Sequence, residues 1–130
     1  MTVIVERIEG KTLRVSAGDA TAIVDGGAGG FRSVDLLLGA LGACSAGTML
    51  TAAAEASIPV TSVQVELRPV VSLTPERVSR IKVKMTVGGD LSEDDLAALR
   101  AAAESCKVHN SLHHGIETQL DLLSGESLPA

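Results

Sequence analysis

Leu36 to Ala54, 19 consecutive residues without a charge, limits this chain more than any other feature. A segment this apolar cannot be a solvated surface helix. It has to be covered on all sides, by its own domain, by a second chain or by lipid. Its length is close to the ~20 residues that span a bilayer. Most of it is Ala, Gly, Ser and Thr, however, and not the Leu, Ile and Phe that drive insertion. The segments after it alternate as soluble strands do, so the expectation is a buried central helix and no membrane. In a single domain of 130 residues, a partner subunit is expected to supply part of its cover.

The flanks of this helix set the organisation of residues 1–130 as one domain. Ser33 is a suitable N-cap, Asp35 sits favourably in the first turn, and Pro59 stops the helix. Upstream, Val3–Ile8, Leu13–Ser16 and Thr21–Val24 read as short strands separated by turns at Glu9-Gly10-Lys11 and Gly18-Asp19. The glycine-rich run from Asp25 to Gly30 reads as a flexible loop. Downstream, Val63, Val65 and Leu67, then Ile81, Val83, Met85 and Val87, alternate with polar residues and predict a hairpin turning near Pro75. Ser92 with Asp95 predicts a capped second helix whose stripe is Leu96, Leu99 and Ala103. Residues 107–115 read as a bend or a short turn of helix. Ile116–Leu122 is expected to be a last strand, and the tail after Gly125 is expected to fray. The order β-β-β-α-β-β-α-β is α+β.

Composition narrows the function. The chain is 45% hydrophobic and 21% charged with a net charge of -5, so it is globular and carries no basic block for nucleic acid. One Phe, with no Tyr or Trp, leaves any pocket to be walled by aliphatic side chains and Met. The N-terminus lacks a basic region followed by an apolar run, so a cytoplasmic protein is expected. In that compartment two cysteines point to catalysis or metal binding more than to a structural disulfide.

Cys44 and Cys106 are the only thiols, 62 residues apart. Cys44 shares a helical face with Leu37, Ala40, Leu41, Gly47, Thr48 and Thr51. A buried thiol acting as a small hydrophobe is the commoner role for such a residue. Reactivity needs a thiolate, and a thiolate needs nearby positive charge. Cys44 is about eleven residues from its cap, roughly 16 Å along the axis, too far for its own helix dipole. The cation would have to come from Arg7, Lys11, Arg14, Arg32 or His109. Cys106 reads as lying near a helix C-terminus, where the dipole disfavours a thiolate. If the two cooperate, Cys44 attacks and Cys106 resolves. A metal reading also exists, since Cys106, His109 and His113 have ligand-like spacing to which Cys44 would add a fourth. That pattern is weak, and His113-His114 before Gly115 is better read as a solvated helix end, so no metal is expected. The glycine-rich loop lacks both the phosphate-loop and the dinucleotide fingerprints, so no cofactor is expected.

Ser33-Val-Asp-Leu-Leu-Leu-Gly-Ala-Leu-Gly-Ala-Cys44, followed by Ala-Ala-Ala-Glu-Ser-Cys106-Lys-Val-His-Asn-Ser-Leu112, resembles the OsmC/organic hydroperoxide resistance (Ohr) family. The two motifs match in order and separation, and the strands between them fit. The resemblance implies an OsmC-like fold, an intertwined homodimer with curved sheets wrapped around central helices. It further implies a thiol-dependent peroxidase acting on organic hydroperoxides or hydrogen peroxide, with the site at the subunit interface and an external dithiol as reductant. By that match Cys44 is the peroxidatic residue and Cys106 the resolving one. The family pairs its attacking Cys with an Arg and a Glu. Here Glu9-Gly10-Lys11 stands where Gly-Gly-Arg is usual, so the match makes Lys11 or Arg14 the cation and Asp35 the acid. Lys107 replaces the usual Pro. Without that clamp, the alternative is a non-catalytic dimer that holds a small ligand on the same fold.

Overall fold

The computed structural model describes residues 2–125. It contains five strands and three helices in the order β1 (Ile4–Glu9), β2 (Thr12–Ala17), β3 (Ala20–Val24), α1 (Ser33–Glu55), β4 (Ser62–Ser72), β5 (Arg77–Gly88), α2 (Glu93–Ala103) and α3 (Lys107–His114). The class is α+β, and both sheets are antiparallel. Two compact units are distinguished, one holding the N-terminal sheet as far as Leu36 together with the segment from Glu117 onward, the other Leu37–Ile116.

In the first unit β1, β2 and β3 form a meander, with Ile8 bulged out of the β1–β2 ladder between Arg7 and Glu9. The loop after β3 is organised, contrary to its glycine content. The Asp25 carboxylate accepts the N–H groups of Gly27, Ala28 and Gly30 at 2.9–3.1 Å, and Phe31 returns to bridge Val24. A carboxylate held by three amides closes the loop much as a turn would.

In the second unit β4 and β5 form a long hairpin with Val65 opposite Met85 and Leu67 opposite Val83. The expected alternation is seen at Val63, Val65, Leu67, Ile81, Met85 and Val87, which are half-buried, but not at Val83, which is exposed. Their apolar face meets one stripe of α1: Leu38, Leu41, Gly42, Ser45, Met49 and Ala53 are buried. Gly42 is where β4 comes closest, since a Cβ there would lie 2.7 Å from Leu67 Cδ1. Met49, Ala53 and Leu99 form the core centre, with Ile58, Val60, Val63, Met85, Val87, Leu91 and Ala103 packed around them.

Helix ends follow their chemistry. The Ser92 hydroxyl accepts the Asp95 N–H at 3.0 Å and the Asp95 carboxylate accepts the Ser92 N–H at 3.1 Å, the reciprocal box the sequence predicts. At the end of α1, Ser57 adopts a left-handed φ of 55°, and the Ile58 N–H reaches back to the Ala53 carbonyl at 2.9 Å. The helix therefore stops at Glu55, ahead of Pro59.

Three expectations need correction. Ile116–Leu122 forms no strand: residues 115–125 have no regular structure, and Ile116, Leu120 and Leu122 are exposed. A strand requires a partner, and among the described residues this segment pairs with neither sheet. The second helix buries Leu99 but leaves Leu96 exposed. Residues 107–115, read as a bend or a short turn of helix, form a longer helix than that, the eight-residue α3. The tail after Gly125 lies outside the described residues.

Candidate thiol site

Residues of α1, α2 and α3 build the site. Ser45, next to Cys44 on α1, donates from its hydroxyl to the carbonyl of Ala103, the last residue of α2, at 2.9 Å. This part-buried bond ties the chain just before Cys106 to the helix that carries Cys44. Glu104 and Ser105 turn the chain, and Cys106 becomes the N-cap of α3, with extended φ/ψ of -74° and 154°. Its Sγ accepts the His109 N–H at 3.3 Å. Both cysteines are free; Cys44 is half-buried and Cys106 is only 1% exposed.

This geometry overturns the electrostatic reading of Cys106. It does not sit at the negative end of α2 but begins a new helix, whose N–H groups point back toward the thiols. The backbone N–H of Val108 is the largest influence on Cys44 and holds its thiol below the ordinary range; burial opposes it, while the Cys106 thiol, the Lys107 N–H and the Thr48 hydroxyl also favour the thiolate. Cys106 is driven the other way, chiefly by burial, with the Cys44 charge and hydrogen bond adding to the rise against the His109 N–H. The pair is thus polarised: Cys44 toward thiolate, Cys106 toward a neutral thiol that donates to it. No cationic side chain is needed to account for this, because the start of a neighbouring helix supplies the positive potential.

Of the other residues singled out in the sequence, His109 lies in the first turn of α3, and its side chain lines two cavities. The larger, about 570 Å³, is walled by Leu41, Met49, Met85, Leu96 and Leu99 among others. The smaller, about 280 Å³, runs between Leu37, Ile81, Leu112 and His113. Neither is lined by a cysteine. Lys11, Arg14 and Asp35 belong to the first unit. Lys11 is exposed in the β1–β2 turn, and Arg14 pairs with Glu6 at 3.7 Å. Asp35 is held by Arg32, which donates Nη2–H to Oδ1 at 2.9 Å and its backbone N–H to Oδ2 at 2.9 Å. That pair lowers the Asp35 carboxyl below its usual value through the Arg32 side-chain and backbone hydrogen bonds. Among the described residues no three His, Cys, Asp or Glu side chains converge as metal ligands. The Cys106–His109–His113 spacing therefore does not build a zinc site. His109 and His113 stack instead, with ring centroids 6.1 Å apart.

Sequence reasoning missed the donors Lys107 and Val108. The usable signal was Val108 and Leu112 four apart, followed by His113-His114 and then Gly115, the mark of a short helix and its end. Its start was disguised because a Cys occupies the position where Ser, Thr, Asp or Asn is usual.

Residues 26–121 match the family described as OsmC-like protein. Among solved structures, an OsmC-like protein from Mycoplasma pneumoniae superposes with a TM-score of 0.79 at 18% identity, covering 86% of each chain. A protein from Psychrobacter arcticus named for osmotic stress induction and detoxification response gives 0.78 at 20% identity, covering 85% of this chain and 87% of that one. An organic hydroperoxide resistance protein from Legionella pneumophila gives 0.60 at 19% identity, covering 86% and 89%. No curated protein matches the chain by sequence.

Proposed function

Since this chain belongs to the OsmC-like protein family, we propose that it is a cytoplasmic, dimeric thiol peroxidase in a stress-related redox role, reducing organic hydroperoxides or hydrogen peroxide through Cys44 and Cys106. The observation that carries the reading is the opposite polarisation of two neighbouring free thiols, Cys44 on α1 and Cys106 at the start of α3. A relative of the same fold named for organic hydroperoxide resistance supports the redox role.

The Cys44 thiolate attacks the distal peroxide oxygen. The O–O bond breaks, sulfur is oxidised to the sulfenic acid, and the alkoxide leaves and takes a proton from water to become the alcohol. The neutral Cys106 thiol then condenses with the sulfenic acid, forming the disulfide and releasing water. An external dithiol reduces that disulfide by exchange, becoming oxidised itself. Cys106 has the state this order requires: kept protonated by burial, it does not compete for the peroxide.

The test is consumption of cumene hydroperoxide and of hydrogen peroxide by the reduced protein with dihydrolipoamide as recycler. Cys44→Ser is expected to abolish turnover. Cys106→Ser is expected to allow one oxidation and then stall as sulfenic acid. Turnover that survives Cys44→Ser would sink the mechanism. The apolar cavity of about 570 Å³ favours one rival, a dimer that binds a small apolar ligand without turnover. Absence of peroxide consumption in the parent protein would select it.

Support for the homodimer comes from α1. Its buried stripe is on one side, yet Ala40, Ala43, Gly47, Leu50 and Ala54 on the other side are exposed, and nothing lies within 4 Å of a Cβ placed on Gly47. A second copy of α1 is the occupant we assign to that stripe, where small residues allow close approach of two backbones.

A further inference from the structure

We propose that Cys106 has a second task, as a positioning residue for Cys44: its Sγ caps α3, fixing the first turn of that helix and with it the Lys107 and Val108 N–H groups presented to the Cys44 sulfur. The inference rests on Cys44 being the reactive thiol, but it assigns Cys106 a role before any disulfide forms. A residue that only resolves would leave the nucleophile unchanged until oxidation.

The cap rests on geometry. Cys106 has the extended backbone of an N-cap residue. Its sulfur accepts the His109 N–H at 3.3 Å, and its carbonyl accepts the Asn110 N–H at 3.0 Å, the first full turn of α3. No neighbouring side chain duplicates the task. Ser105 turns its hydroxyl back to the Ala102 carbonyl at 2.8 Å, and the Asn110 amide donates to the Ser105 carbonyl at 3.4 Å. Cys106 is 1% exposed, so water does not stand in for the sulfur. At eight residues α3 is too short to hold its own first turn without help. His109 N–H donates to Cys106 Sγ, and the Cys106 thiol together with the Val108 and Lys107 amides favours the Cys44 thiolate.

Serine preserves this arrangement, because its hydroxyl both accepts the amide and donates to a thiolate. Alanine does neither. In the full-length Cys106→Ala and Cys106→Ser variants Cys44 is the sole thiol, so ultraviolet thiolate absorbance against pH reports it alone. Hydrogen exchange of the His109 amide reports the cap. Cys106→Ala is expected to raise the thiolate midpoint by about one pH unit and to speed His109 exchange about fivefold, the factor that corresponds to losing an N-cap. Cys106→Ser is expected to keep the lower midpoint and the protected amide.

Equal midpoints in the two variants would overturn the proposal. So would a raised midpoint in the alanine variant with His109 exchange unchanged, because the S–H donor alone would then be acting. If Cys106→Ala does not fold, the serine variant decides alone, and loss of His109 protection in it refutes the cap. None of these readings needs peroxide. A protein that titrates as expected but consumes no hydroperoxide keeps the positioning role and loses the peroxidase reading.

Discussion

At the scale of residues, two neighbouring thiols are pushed in opposite directions, Cys44 down by the amides of one short helix and Cys106 up chiefly by its burial. Cys44 has a folded value below the ordinary thiol range and Cys106 one above it. The consequences for pH follow from linkage. Between the lowered Cys44 value and the ordinary ~8.5, the unfolded chain binds more protons at Cys44 than the folded one, so stability rises with pH. From ~8.5 up through the raised Cys106 value, the folded chain holds the extra proton and stability falls. Denaturant midpoints across alkaline pH should therefore peak near the ordinary thiol range. In Cys106→Ser the falling limb should disappear while the rising limb remains. The alkylation rate of Cys44 by iodoacetamide should likewise reach its plateau below the pH at which a free thiol does. That Cys44 and Cys106 come together was an expectation the sequence could state, and the opposite shifts of the two thiols agree with it. Their electrostatics were not legible there: the reading of a C-terminal dipole at Cys106 failed because a cysteine N-cap conceals a helix start, and the donors it introduces are backbone amides, which leave no trace in side-chain types. The sequence directs attention to Lys11 and Arg14 as cations, whereas the groups that favour the Cys44 thiolate within its own unit include the Val108 and Lys107 amides of the main chain.

At the scale of elements, local chemistry was legible wherever it is carried by side chains. The Ser92–Asp95 box was readable because both partners are of the usual type, and Ser92→Ala should cost about 1 kcal/mol in equilibrium unfolding. The end of α1 was misplaced toward Pro59 because its terminator is Ser57 in a left-handed conformation, a position where glycine is the expected residue. Ser57 is exposed and bears the steric cost of its Cβ. Ser57→Gly should accordingly stabilise the protein by about 0.5–1 kcal/mol, even though glycine has more unfolded-state freedom to lose. A denaturation midpoint that drops in Ser57→Gly would show that the left-handed turn is not what limits this helix end. The last strand was misread for a different reason. Alternation in Ile116–Leu122 describes a segment suited to pairing, but pairing also needs a free edge in reach, and sequence period carries no information about edges.

At the scale of the whole molecule, apolar surface remains that one copy does not cover. Leu120, Leu122 and Leu123 are nearly fully exposed, Val3, Ile4 and Val5 are more than half exposed, and β4–β5 is a two-stranded sheet with both outer edges unpaired among the described residues. Unpaired edges and exposed apolar strands are aggregation hazards unless another chain occupies them. By length and composition α1 could cross a membrane, but its Leu41–Ser45–Met49 stripe is packed inside the second unit, and its remaining face consists mostly of Ala and Gly. Small residues at helical spacing suit a close helix–helix contact better than lipid, where bulky aliphatics are favoured. The expected outcome is a dimer by size-exclusion chromatography with light scattering. Gly47 separates the two ways of reading this face. Considered in one copy, Gly47→Ala adds a methyl group to open space and should stabilise the helix by about 1 kcal/mol. In a dimer packed through this stripe the same methyl group enters the contact, and Gly47→Glu places a charge there that the second copy cannot solvate. Gly47→Glu should therefore give a monomer of lower stability, and Gly47→Ala should lose part of its helix gain as protein concentration rises. A Gly47→Glu protein that still elutes as a dimer would move the subunit contact away from α1.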